Sequence, residues 1–154
     1  YGTEALGVMR VEKGHAAGNE LTGQTTARDL GMGRMVSKKK DSIGSVLSER
    51  IALNREDGMA LVGFIPVIRA DAFRAVAHLV SQNKAAIIEN DEGWMTSVAF
   101  SPSHGHSIGL GFIKRGAERT GETVTAVDPL RGTNISVKIV SPHFIDPEGE
   151  RLRA

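Results

Sequence analysis

No cysteine occurs among the 154 residues, which excludes disulfides, thiolate metal sites and a thiol nucleophile from this chain. The absence fits a reducing compartment, and a cytoplasmic setting is the expectation. No apolar run approaches the roughly 18 residues that a membrane-spanning helix needs, so no membrane association is expected. Nor is there an excess of charge of one sign. Nineteen Lys and Arg face eighteen Asp and Glu, a formal net charge of +1, so no strong field points to nucleic acid or an anionic surface. The first residues, YGTEAL, have the features of neither a signal peptide nor a transit peptide and lack an initiator methionine. The chain is therefore expected to be cut from something longer.

What the chain has in quantity is glycine. Its 18 glycines fall mostly between apolar runs, a pattern of short strands and turns. From Met59 onward MALVGFIPV, AAIIE, GWMTSVAF, SIGLGFI, ETVTAV and NISVKIV read as strands, separated by turn-rich IRAD, NDEG, SPSHGH, KRGAERTGE and DPLRGT. Closely spaced short strands fit a small closed barrel or a sandwich. The stretch Phe73 to Val80 fits two periods equally: Phe73, Val76, Ala77 and Val80 make a helical stripe, and Phe73, Ala75, Ala77 and Leu79 make a strand face.

The first 57 residues read differently. Thr3 to His15 looks helical, with Thr3 as N-cap, Glu4 in the first turn, and Gly14 and Gly18 as stops. Ala5, Val8 and Met9 share one arc of that helix, Glu12 falls within it, and Arg10 lies off to its side. A carboxylate on an apolar helix face is costly unless paired. Two readings of Arg10 and Glu12 stand side by side: an ion pair with a neighbouring segment, or the wall of a ligand pocket. Asp41 is a good N-cap for a second helix through about Ile51, in which Ile43, Val46, Leu47 and Ile51 recur at helical spacing. NREDG then reads as a loop and domain boundary. This divides the chain into residues 1–57 and a strand-rich part, 58–154, an α+β protein.

No self-contained catalytic centre is visible. His104-Gly-His106 lacks the further ligands of a zinc site. His78 reads as a packed or strand-face residue, and Trp94 and Phe100 as barrel residues. There is no G-x-S-x-G elbow, and the GMG run lacks the flanking strand and Lys-Ser/Thr pair of a phosphate loop.

The segments taken together resemble a known family. YGTEALGVMRVEKGH is similar to the R-x-E-x-G helix of folate-dependent aminomethyltransferases, the glycine cleavage T proteins. TTARDLGMGRMV followed by KKDSIG, and GWMTSVAFSPSHGHSIGLGFI, resemble the stretches that follow it there, in the same order. Within that superfamily LGMGRMVSKKKDSIG, TSVAFSPSHGHSIGLGFIKRG and the closing SPHFIDPEGERLR resemble most the C-terminal region of the alpha subunits of heterotetrameric sarcosine oxidases. The run Val36 to Lys40 and the C-terminus depart from the common T-protein form, which ends on a Met-Pro-Phe stretch.

The resemblance implies the end of a folate-binding body followed by a C-terminal antiparallel β-barrel, and it favours a strand at Phe73–Val80. It implies tetrahydrofolate as cofactor, contacted by Arg10, with Glu12 supporting Arg10 or a neighbouring segment and Gly14 ending the helix. It implies FAD, FMN and NAD elsewhere in a larger complex, and as partners the remainder of an alpha chain and the other subunits. The activity implied is oxidative demethylation of sarcosine to glycine, the one-carbon unit passing to 5,10-methylenetetrahydrofolate. The aspartate thought to assist that transfer in the family lies upstream of these residues, so no catalytic residue is expected here. The alternatives are a free-standing aminomethyltransferase and a folate-binding module without chemistry.

Overall fold

Alternation of side chains decides the architecture. A computed structural model describes residues 2–40 and 42–154. Six strands close into an antiparallel barrel: β1 (Met59–Pro66), β2 (His78–Ser81), β3 (Asp91–Ser101), β4 (His106–Lys114), β5 (Thr123–Asp128) and β6 (Thr133–Val140). Their order around the barrel is β1-β4-β3-β2-β5-β6, and β6 pairs back on β1 through Phe64↔Ile139 and Ile65↔Lys138. Closure leaves no strand edge open.

The barrel wall carries apolar residues on both sides, and this places the rest of the chain. Inward, Val62 and Phe64 of β1, Leu79 of β2, Met95 of β3, Ile113 of β4 and Val137 and Ile139 of β6 fill the interior. Outward, Leu61 of β1 and Ile108, Leu110 and Phe112 of β4 form a second cluster with Val11, flanked by Leu30, Ala99 and Phe144. The helix α1 (Thr3–Lys13) lies over that outer face. Inside, Gly111 leaves room for its neighbours: a Cβ there would sit 2.4 Å from the Trp94 carbonyl oxygen and 3.1 Å from the Phe64 ring.

One irregularity in β3 sets up the outer face. The β3–β4 register shifts between Met95 and Ser97, so Thr96 is an extra residue, a β-bulge, and its Oγ1 donates to the Leu110 carbonyl at 3.1 Å. A one-residue insertion moves every later side chain to the opposite face. Met95 points into the barrel before the bulge and Val98 packs on the interior after it, which turns Ser97, Ala99 and Ser101 outward toward α1.

Several expectations change. AAIIE is not a strand; Ile88–Asn90 is a short 3₁₀ turn, Ile87 and Ile88 are exposed, and the barrel place expected of it belongs to His78–Ser81. Phe73–Val80 keeps neither period throughout. Val76 sits at φ 71°, which breaks both repeats, so the strand begins at His78 while Phe73 and Ala77 are buried ahead of it. Thr3 is the first helical residue rather than the cap, since the Gly2 carbonyl accepts the Leu6 N–H at 3.2 Å. The face of α1 that packs is centred on Val11 and Glu12, with Met9 exposed. The expected second helix is a single turn, α2 (Ser45–Ser48); Ile43, Val46 and Ile51 are exposed, and among the described residues no packed face holds a longer helix together. Its proposed cap, Asp41, lies outside the described residues. The chain ends in another short helix, α3 (Glu150–Arg153). No helix among the described residues is long and apolar enough to cross a membrane.

Candidate functional site

The seam between α1 and β3 holds a dense set of polar contacts: Arg10 and Glu12 each meet partners across it, and Gly14, just past the helix end, meets the C-terminal segment. Arg10 and Glu12 are two positions apart, about 200° around a helix, so they do not pair with each other. The longer Arg10 reaches over the helix flank. Its Nη1 donates to Glu20 Oε2 at 3.1 Å and its Nη2 to Ser97 Oγ at 2.6 Å. Ser97 Oγ in turn donates to Glu20 Oε1 at 2.5 Å, which closes a three-residue ring of bonds. A 3₁₀ turn, Gly18–Glu20, brings Glu20 back over its own start, where the Ala17 N–H donates to Oε2 at 2.9 Å.

Glu20 is fully buried, while Arg10 keeps 27% of its side chain exposed. Burial by itself would push the Glu20 carboxyl up. The hydrogen bonds of Ser97 and the Ala17 N–H, together with the Arg10 charge, outweigh it and hold the group below the usual glutamate value. A carboxylate so depressed contributes stability that is fully present above the ordinary glutamate value and is lost as pH falls through the lower, folded one. Glu20→Gln is therefore expected to be less stable than the parent at neutral pH, by about 1–3 kcal/mol. The gap should close on acidification through the carboxylate range. Urea midpoints of the two proteins against pH check this, and a gap of constant size would refute it.

Glu12 has its own partner. Ser101 Oγ donates to Glu12 Oε1 at 2.5 Å, and His104 Nδ1 lies 3.1 Å from the same hydroxyl. The Glu12 carbonyl accepts the N–H groups of Phe144 and Ile145 at 2.9 and 3.0 Å. Gly14 ends the helix at φ 74° and lies so close to the C-terminal segment that a Cβ would be 2.4 Å from the Pro142 carbonyl oxygen. His143 Nδ1 donates to the Lys13 carbonyl at 2.9 Å, and Lys13 Nζ bonds the Asp146 carbonyl. Residues 142–146 thus strap the end of α1.

Of the two readings of Arg10 and Glu12, the neighbouring segment is present within the chain: Glu20, Ser97 and Ser101 supply the partners. These three were not singled out from the sequence. Glu20 lies in the segment after α1, where no motif marks it. The two serines carried a usable signal, polar residues inside the apolar run GWMTSVAFS, but the bulge that aims them has none. His78 is a strand-face residue whose Nδ1 lies 2.8 Å from Asp91 Oδ2.

The fold is that of known proteins. The chain superposes on the crystal structure of the glycine cleavage system aminomethyltransferase T from Bartonella henselae with a TM-score of 0.69 at 24% identity, over 93% of this chain and 38% of that one. In sequence it is similar to the sarcosine oxidase subunit alpha of Rhizobium meliloti (strain 1021), 40% identical over 153 residues. It is 36% identical over 154 residues to that of Corynebacterium sp. (strain U-96). The aminomethyltransferase of Desulfitobacterium hafniense (strain Y51) is 29% identical over 134 residues, 86% of this chain and 34% of that protein. The chain spans 16% of the length of the sarcosine oxidase alpha subunits it matches, and 99% and 98% of its own. Arg10 and Glu20 fall within that near-complete match. The family model described as the glycine cleavage T-protein C-terminal barrel domain matches residues 59–146, the whole of the barrel, so the chain belongs to that family.

Proposed function

We propose that the chain is the folate-side, C-terminal part of a sarcosine oxidase alpha subunit, supporting passage of the one-carbon unit of oxidised sarcosine to tetrahydrofolate. The observation that carries this reading is the similarity to sarcosine oxidase alpha subunits across essentially the whole chain, at 40%, 36% and 37% identity. Residues 1–57 then close the folate-binding body, and residues 58–154 are the barrel against which it rests. FAD, FMN and NAD belong to other parts of the complex, and the partners are the rest of the alpha chain and the other subunits.

The residue of this chain that meets the ligand is Arg10, on the helix that ends at Gly14. Its chemistry suits folate: a partly exposed guanidinium can hold an anionic or carbonyl-rich group with two parallel hydrogen bonds. Glu12 acts behind it, tying α1 to Ser101 and to the backbone of 144–145. Tetrahydrofolate, when bound, supplies the acceptor for the one-carbon unit. No catalytic residue is assigned within the chain.

The test uses the intact enzyme supplied with sarcosine, with and without tetrahydrofolate. Formaldehyde is the expected one-carbon product without folate, and 5,10-methylenetetrahydrofolate with it. Arg10→Ala is expected to raise the folate concentration needed for half-maximal capture by at least about tenfold, through the loss of its charge-assisted hydrogen bonds. Capture is scored per mole of amine oxidised. An unchanged partition removes Arg10 from the ligand. Failure to oxidise sarcosine, with transfer from an aminomethyl-lipoyl protein instead, returns the free-standing aminomethyltransferase, for which the 29% identity to that enzyme speaks.

A further inference from the structure

We infer that Glu20 and Ser97 are positioning residues: they grip the Arg10 guanidinium by its end so that its side edge is offered to the ligand. This rests on Arg10 meeting folate, as proposed above. A guanidinium has five N–H donors in a fixed plane. The two on Nη1 go to Glu20 Oε2 at 3.1 Å and, more loosely, to the His15 carbonyl at 3.4 Å. One on Nη2 goes to Ser97 at 2.6 Å. Among the described residues the Nε–H and the second Nη2–H have no partner. With Ser97 on the end-facing Nη2–H, these two lie in the guanidinium plane along its side edge, the fork that receives a carboxylate or another planar pair of acceptors.

The grip is stiff. Glu20 is fully buried, with Oε1 held by Ser97 and Oε2 by the Ala17 N–H, so it cannot follow a swinging guanidinium. Ser97 stands on the barrel wall immediately after the bulge at Thr96, and the β3–β4 register fixes its place. A buried carboxylate is a poor way to attach a helix, because apolar packing does as well without the desolvation cost. Fixing the plane of a partly exposed arginine is something that apolar packing cannot do and such a ring of bonds does. A ligand then meets a fork that is already oriented, and loses less entropy on binding.

The experiment is a double-mutant cycle in the intact enzyme. Tetrahydrofolate dissociation constants are measured for the parent, Glu20→Gln, Arg10→Ala and the double variant. Glu20→Gln is expected to weaken binding about tenfold in the parent and to add nothing once Arg10 is alanine. A Glu20→Gln effect of equal size in both backgrounds, or none beyond about twofold in the parent while Arg10→Ala still weakens binding, overturns the positioning role alone. If Arg10→Ala leaves the dissociation constant unchanged, the reading of Arg10 falls, and the positioning role with it. Should Glu20→Gln not fold, Ser97→Ala takes its place in the same cycle, with the same outcomes deciding.

Discussion

Gly14→Ala is expected to release the end of α1 from the barrel, with a loss of roughly 2–5 kcal/mol in the stability of that layer. Two costs combine. An L-residue at φ 74° is in the left-handed region, where a Cβ is penalised by about 1–2 kcal/mol. The new Cβ would also meet the Pro142 carbonyl oxygen at 2.4 Å and His143 Nδ1 at 2.7 Å, and the first of these is backbone that cannot swing aside. The strap must move, and the bonds of His143, Phe144 and Ile145 to the carbonyls of Lys13 and Glu12 go with it. Gly7, on the same helix, provides the control. Nothing lies within 4 Å of a Cβ there, so Gly7→Ala is expected to stabilise the helix by about 0.5–1 kcal/mol. Hydrogen exchange of the α1 amides reads both. Faster exchange in Gly14→Ala and slower in Gly7→Ala is the expected pair, and equal, slight effects of the two would show that the strap carries no load.

The sequence makes some of this legible and hides the rest for identifiable reasons. Five of the six barrel strands are visible as apolar runs because each is bounded by turns rich in glycine, proline or aspartate, and because β1 and β4 carry buried apolar residues on both faces. The sixth is shorter than the stretch expected for it: Phe73–Val80 fits two periods in the sequence, and the backbone turn at Val76 confines the strand to His78–Ser81. AAIIE has the composition of a strand, yet hydrogen bonding to neighbours, not composition, makes one. The stripe Ile43, Val46, Leu47 and Ile51 has helical spacing, but its apolar side chains stand exposed, and helices this short draw their stability from packing. The motif R-x-E-x-G announced that α1 matters. What it could not announce is the other half of each contact. Glu20 becomes visible only when a 3₁₀ turn folds it under Arg10, and Ser97 and Ser101 only when the bulge at Thr96 turns them outward.

Phe64→Ala is expected to cost about 3–5 kcal/mol of global stability, the upper range for a large-to-small change in a core. Phe64 is fully buried at the centre of β1, opposite Gly109 on β4 and Ile139 on β6. The cost of such a deletion depends on whether the surroundings collapse into the space. Here they have little means to do so. Closure of the barrel fixes the wall by hydrogen bonds all round, and the neighbour whose Cβ would face the ring is a glycine, Gly111, with no side chain to rearrange. Set against the 5–15 kcal/mol by which domains are usually stable, the loss is a large fraction of the total. Phe100→Ala, an equal deletion at a residue 61% exposed, is expected to change stability by no more than about 0.5 kcal/mol. Urea unfolding measures both, and a fall below about 1 kcal/mol for Phe64→Ala would mean that the interior does relax. The pair Phe64 and Gly14 also orders the two layers. The α1 layer packs on the outward faces of β3 and β4, with Leu61 of β1 beside them, so it has no surface to rest on once the barrel opens, whereas the barrel closes through its own six strands. Weakening the interior should therefore speed exchange in α1 and in the strands together. Weakening the strap at Gly14 should speed exchange in α1 and leave the strands protected, and strands that lose protection along with α1 in that variant would make the two layers one cooperative unit.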